Sequence, residues 1–148
     1  LPEVRDNFVT YGLNEGVHYH AGLFNETLPR FYHEYKDYHQ ARIAVLRIDG
    51  NFYESYQDAL YYLWELVPVG GFVIFDDYVE GKNAPWLGQF WAEFKRAHGL
   101  RETLRAVDWT SSYFRKETDA KVDWSAYARD RARMKGRAPG TGRRKRVS

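Results

Sequence analysis

Two short apolar runs, Ile43-Ala44-Val45-Leu46-Arg47-Ile48 and Gly71-Phe72-Val73-Ile74-Phe75, each stop at an acidic residue: Asp49 after the first, the doublet Asp76-Asp77 after the second. Both are rich in β-branched or aromatic residues and lack alternation, the pattern of strands buried on both faces in a parallel sheet covered by helices. Between them Leu60, Leu63, Trp64 and Val67 recur at helical spacing over residues 54–67, and Pro68 with Gly70-Gly71 supplies a stop. This is a strand-helix-strand unit. A right-handed crossover sets the two strands side by side with their carboxyl ends at one edge of the sheet. Ligands of doubly wound sheets bind beyond such ends, so Asp49, Asp76 and Asp77 are expected to converge on one place. Clustered carboxylates repel one another unless a proton or a cation compensates, and hard oxygen ligands suit Mg²⁺. Spacing alone leaves two readings open, a metal site and a pair of ordinary turns, because Asp and Gly are both favoured turn residues.

Further along, Phe90, Trp91 and Phe94 share one face of an expected helix over residues 86–98, with Gly99 as its terminator. Residues 103–107 and 112–115 read as a strand pair around a turn near Asp108-Trp109. Upstream, residues 17–20 are a strand candidate and residues 4–11, followed by Gly12, look like the end of a helix. Residues 29–42 hold four aromatics and two histidines without a clear period and read as a loop or short helix. Ten of the 22 basic residues but only three of the 20 acidic ones fall in residues 119–148, so a body of charge −5 precedes a tail of +7 within the net +2. That tail is expected to be disordered.

A chain of 148 residues is about one domain, and the absence of Cys excludes disulfides, thiolate nucleophiles and a cysteine zinc site, pointing to a cytoplasmic setting. No apolar stretch approaches the roughly 18 residues of a membrane span. The chain starts on Leu1 rather than Met, as expected of a fragment or processed chain. His18, His20, His33 and His39 read as surface or hydrogen-bonded packing residues rather than ligands. Tyr53 and Tyr78, beside the carboxylates, are candidates to line a substrate pocket, whereas Tyr61, Tyr62, Trp64, Phe90, Trp91 and Phe94 fit packed helix faces. The Arg143-Arg144-Lys145-Arg146 run has the charge to grip nucleic acid, but no stacking motif or recognition helix accompanies it, so a solvated or targeting tail is expected instead.

Four blocks, taken in order, resemble one known family. They are Val4-Arg5-Asp6-Asn7-Phe8 with Tyr11-Gly12-Leu13; Gly22-Leu23-Phe24 with Thr27-Leu28-Pro29; Ala44-Val45-Leu46-Arg47-Ile48-Asp49-Gly50-Asn51-Phe52-Tyr53-Glu54-Ser55; and Val69-Gly70-Gly71-Phe72-Val73-Ile74-Phe75-Asp76-Asp77-Tyr78. The family is the macrocin O-methyltransferase-like group of S-adenosylmethionine-dependent methyltransferases, and the resemblance covers residues 4–117. It implies an α/β, partial Rossmann-like methyltransferase fold: a central, mostly parallel sheet with flanking helices, lacking the amino-terminal cofactor-loop strands. Residues 1–118 are then the carboxyl-terminal part of a class I methyltransferase domain and residues 119–148 a tail. It further implies Mg²⁺-assisted methylation of a hydroxyl on a small molecule such as a sugar or natural product. Asp49, Asp76 and Asp77 become metal ligands, and Asp49 a candidate proton acceptor. Asn51 stands where many members have Asp, which leaves the substrate less defined. The family's Gly-rich cofactor loop lies upstream of the matched region, no such loop occurs in residues 1–42, and no cofactor-binding residue is assigned. The isolated chain is expected to be inactive, with the outer edge of the strand at residues 43–49 open to its missing half or a second copy. A non-catalytic remnant that serves association is the alternative.

Overall fold

The computed structural model describes residues 2–38, 42–79 and 84–135. In chain order the elements are α1 (Pro2–Thr10), α2 (Phe24–Tyr35), β1 (Val45–Ile48), α3 (Tyr53–Leu63), a 3₁₀ turn (Trp64–Leu66), β2 (Phe72–Phe75), α4 (Pro85–His98), β3 (Arg105–Ala106), β4 (Ser112–Arg115) and α5 (Trp124–Lys135). The sheet runs β1-β2-β4-β3. β1 and β2 are parallel, Val45 opposite Phe72 through Ile48 opposite Phe75, as the crossover requires. The other two pairings, β2 with β4 and β3 with β4, are antiparallel, so the described sheet is mixed rather than mostly parallel. β1 is an edge strand.

Both expected strands form, but they are buried on one face only. Leu46, Ile48, Val73, Phe75 and Phe114 point into the core, whereas Val45 and Phe72 on the other face remain 55% and 40% exposed. Among the described residues α3, α4 and α5 supply one covering layer. Gly50 permits the close turn from β1 into α3: a Cβ there would lie 2.7 Å from the Ser55 Cβ. Helix α4 opens on Pro85, which lacks only an amide that a first turn leaves unpaired, and closes on Gly99 at φ +64° with Lys95, Arg96 and His98 in its last turn.

Two regions depart from the sequence expectation, and a third takes one of the two forms expected of it. Residues 17–20 form no strand. Of the segment expected as a loop or short helix, residues 29–35 belong to α2, a 12-residue helix containing Pro29. The supposed tail contains α5, which packs on α3: Val122 and Ala126 are buried, and Tyr61 and Tyr62 lie 5.0 Å, centroid to centroid, from Tyr127 and Trp124 respectively. Part of the basic surplus fastens this helix to the body. Arg131 lies 3.6 Å from Asp58 and Arg133 3.0 Å from Glu93, while the Tyr127 hydroxyl donates to Asp58 at 2.7 Å. His98 adds an anchor, its Nε2 accepting the Asp123 amide at 2.9 Å. His39 and the Arg143-Arg144-Lys145-Arg146 run lie outside the described residues. Among the described residues no helix is long and apolar enough to cross a membrane.

Lys116 is the least expected core residue, 1% exposed. Its ammonium donates to the carbonyls of Trp64 (2.8 Å) and Val67 (2.7 Å), closing the end of α3 and its 3₁₀ turn, and lies 4.5 Å from the centroid of the Trp64 ring. Burial pushes this group down to about 8, below its ordinary 10.5. Between those values the unfolded chain holds the extra proton, so stability rises with pH. Buried tyrosines, raised by burial to about 12 at Tyr53 and further at Tyr56, oppose this once unfolded tyrosines ionise near pH 10. The clean window is therefore pH 8 to 10, where urea midpoints should report a gain of about 2 kcal/mol. Lys116→Met should flatten that rise; an equal slope in the variant rules Lys116 out as its source.

Candidate active site

The parallel register that sets Ile48 beside Phe75 carries the chain directly into the two acidic ends. The ladder continues one step further, with the Asp76 amide donating to the Ile48 carbonyl at 2.9 Å. Tyr56, on the first turns of α3 and 1% exposed, reaches back under this junction. Its hydroxyl is within hydrogen-bonding distance of the Ile48 carbonyl, at 3.1 Å, and of the Asp76 carbonyl. One buried phenol thus ties the two strand ends together.

Asp76 is held on both carboxylate oxygens. The Ser111 hydroxyl donates to Oδ1 at 2.6 Å, and the Arg47 guanidinium donates to Oδ2 at 2.5 Å. Ser111 is itself placed by Asp108, whose Oδ1 accepts the amides of Thr110 and Ser111 at 2.7 and 2.8 Å and so shapes the β3–β4 turn. Arg47 also lies 3.7 Å from Asp49. Together these contacts split the two carboxylates. Hydrogen bonds from Ser111 and Arg47 hold Asp76 below its ordinary value. Partial desolvation, the charge of Asp76 and a hydrogen bond shared with it raise Asp49 above its own. The surroundings thus favour the charged form of Asp76 and disfavour that of Asp49.

Of the five residues singled out from the sequence, the structure draws Asp49 and Asp76 together. Asp77 follows in the left-handed region, φ 54°, and is exposed; its charge is the smallest influence felt by Asp49. Among the described residues no group of three or more His, Asp or Glu side chains is arranged to hold a metal ion. The expected three-carboxylate convergence is therefore not assembled here, and a cation from the chain itself, Arg47, stands between the two carboxylates that do meet. Tyr53, expected at the substrate, instead turns into the helix layer. Its ring packs 5.0 Å from Phe90 and 6.4 Å from Trp86, and its hydroxyl is subject to Asp130, Glu93 and Arg133. Tyr78 is 4% exposed and lines a cavity of about 600 Å³ with Gly88, Trp91, Lys95 and Leu100. His18 and His20 line a separate hollow beside Phe31 and Ile43.

Sequence reasoning missed Arg47, Tyr56 and Ser111. Arg47 was accessible to it, because a residue two positions before Asp49 on a strand faces the same side. Ser111 was not, since only the antiparallel register that sets Phe75 opposite Ser112 brings it to Asp76.

A family model described as Macrocin-O-methyltransferase (TylF) matches residues 1–116. The chain is 45% identical over 115 residues to a demethyldecarbamoylnovobiocin O-methyltransferase of Streptomyces niveus, covering 77% of this chain and 40% of that protein. It is 34% identical over 116 residues to an 8-demethyl-8-(2,3-dimethoxy-alpha-L-rhamnosyl)-tetracenomycin-C 4'-O-methyltransferase of Streptomyces olivaceus, covering 78% and 40%. The solved structure of the O-methyltransferase NovP superposes with a TM-score of 0.66 at 34% identity, over 79% of this chain and 45% of that one. The chain thus spans about 40% of the length of the curated relatives it matches.

Proposed function

This chain belongs to the macrocin O-methyltransferase family, and from that membership we propose that it forms the acceptor side of an S-adenosylmethionine-dependent O-methyltransferase acting on a hydroxyl of a glycosylated small molecule. The observation that carries the reading is the paired carboxyls of Asp49 and Asp76, raised and lowered respectively at adjoining strand ends. The rhamnosyl-tetracenomycin on which the Streptomyces olivaceus relative acts supplies the acceptor class. The strand order β1-β2-β4-β3, with a terminal antiparallel hairpin, supports reading this sheet as the carboxyl-terminal half of a Rossmann-like one.

Transfer of a methyl group to an alcohol releases the hydroxyl proton, and the proton needs an acceptor within reach. Asp49 is assigned that role. Its raised carboxyl and 60% exposed side chain leave it open to an incoming hydroxyl. Asp76, ionised and held on both oxygens, orients the acceptor and stabilises positive charge beside it. Tyr78 lies two residues beyond Asp76, and the cavity it lines has the size of a small-molecule site, so the apolar part of the acceptor is placed there.

S-Adenosylmethionine, when bound, supplies an electrophilic methyl group; among the described residues no strand precedes β1, so no Gly-rich strand-loop-helix cradle for it is assigned to this chain. The family resemblance implies magnesium, but with Arg47 already paired to Asp76 and Asp49 and with Asp77 exposed, the described residues form no metal-binding group, and no step is assigned to the ion. The unpaired outer edge of β1 supports pairing with a further strand, from the rest of the protein or from a second copy.

The test is release of S-adenosylhomocysteine by the protein that carries this chain. Release is expected only when a glycosylated acceptor with a free sugar hydroxyl is present. No release across a panel of glycosides that includes a rhamnosyl-tetracenomycin would sink the assignment.

A further inference from the structure

We infer that Gly88 is a positioning residue of the acceptor cavity: by lacking a side chain it seats the Tyr78 ring against α4 and so sets the shape of the wall that meets the acceptor. The inference deepens the reading of the cavity beside Tyr78 as the acceptor's site and rests on it.

Gly88 is the fourth residue of α4, a 14-residue helix. An interior glycine costs a helix stability relative to alanine, because more backbone freedom is lost on folding, so its presence here needs a reason. Space supplies it. A Cβ on Gly88 would stand 2.5 Å from the Tyr78 hydroxyl oxygen and 3.3 and 3.5 Å from two carbons of its ring. The first approach is too close for any side chain, whereas a ring can yield to the other two by small shifts. The tyrosine is also directed by its own backbone. Asp77, the residue before it, holds φ 54°, a left-handed conformation that residues other than glycine adopt at a cost and that Asp tolerates better than most. At that turn the chain leaves the acidic end of β2, and Tyr78 ends 4% exposed. Beyond the contact, the same face of α4 continues through Trp91, Ala92 and Lys95, which line the cavity of about 600 Å³ together with Tyr78 and Gly88. Tyr78 is the lining residue nearest to Asp76 in the chain. A displaced phenol therefore alters the part of the wall that joins the acidic end of β2 to the cavity.

Steady-state methyl transfer by the protein that carries this chain, with the best acceptor from a glycoside panel that includes a rhamnosyl-tetracenomycin, tests the inference. Gly88→Ala should raise the acceptor KM about tenfold, the lower end of what a methylene-sized misfit in a pocket costs, with kcat and the donor KM within about twofold of the unaltered protein. Tyr78→Phe removes the oxygen that the added methyl would meet. Gly88→Ala combined with Tyr78→Phe should therefore return the acceptor KM to the value of Tyr78→Phe alone, a coupling between two residues that a general loss of folding does not produce. A merely structural role predicts instead that Gly88→Ala lowers kcat and weakens donor and acceptor binding together. That pattern, an unchanged acceptor KM in Gly88→Ala, or a rise that Tyr78→Phe does not relieve overturns the inference and leaves the methyltransferase reading standing. Absence of transfer by the unaltered protein to every glycoside of the panel overturns both.

Discussion

Replacing Trp64 with alanine is expected to remove about 3–5 kcal/mol of folding stability, the range for excavating a large aromatic from a packed interior. Trp64 is 0% exposed at the point where α3 passes into its 3₁₀ turn. Its ring lies 5.7 Å from Phe94 and 6.2 Å from Phe114, so it joins α3, α4 and β4 in one contact. The indole also donates to the Ala120 carbonyl at 3.0 Å, and its face receives the Lys116 ammonium. Truncation therefore leaves a cavity, an unpaired carbonyl and a buried cation without its aromatic partner, three costs of the same sign. Because small domains retain only about 5–15 kcal/mol in total, the variant should be largely unfolded at moderate urea. Equilibrium urea unfolding followed by far-ultraviolet circular dichroism measures it, and a loss below about 1 kcal/mol would mean that the core is not organised around this residue. Trp64→Phe, which keeps most of the apolar area but gives up the bond to Ala120, should fall well short of the alanine variant.

The parallel pair and the helix between it were legible because they obey local rules. Uninterrupted apolar runs, helical spacing at Leu60, Leu63 and Trp64, and glycine stops each act over a few residues. The claim that both faces are buried was a fair reading of apolar side chains on both sides of β1 and β2. Val45 and Phe72 do sit on the second face, but no described element covers them. Helix α2 was legible only as one of two options, because Pro29 usually ends a helix and its aromatics serve different neighbours: Phe31 packs against His20, and Tyr32 against Tyr62 and Trp124. Helix α5 was hidden by charge. Its arginines looked like a solvated tail until Asp58 and Glu93, far away in sequence, appeared as their partners. At the site, the acidic residues that stop the two runs and the crossover rule were enough to bring Asp49 and Asp76 together. Ser111 depends on the register of a hairpin, and Tyr53 on which side of α3 faces α4, neither of which composition or spacing determines.

Replacing Asp76 with alanine carries the other large expected effect, on methyl transfer rather than on folding. The side chain contributes an exposed ion pair to Arg47 and one hydroxyl hydrogen bond from Ser111, contacts worth about 1 kcal/mol each at most. The unfolding midpoint should therefore move little. Turnover should fall by about a hundredfold or more, because the ionised partner that orients the acceptor and keeps Asp49 able to take its proton is gone. Asp76→Asn, which preserves the shape and part of the hydrogen bonding, should be nearly as inactive if the charge is what matters. Affinity for S-adenosylmethionine should be unchanged within about twofold, as expected when an interaction is removed from the acceptor side alone. The deciding measurement is single-turnover methyl transfer to a glycosylated acceptor by the protein that carries this chain, with and without Asp76→Ala, with donor affinity determined on the same samples. The account predicts intact donor binding and lost transfer in the variant; transfer at the unaltered rate would contradict it.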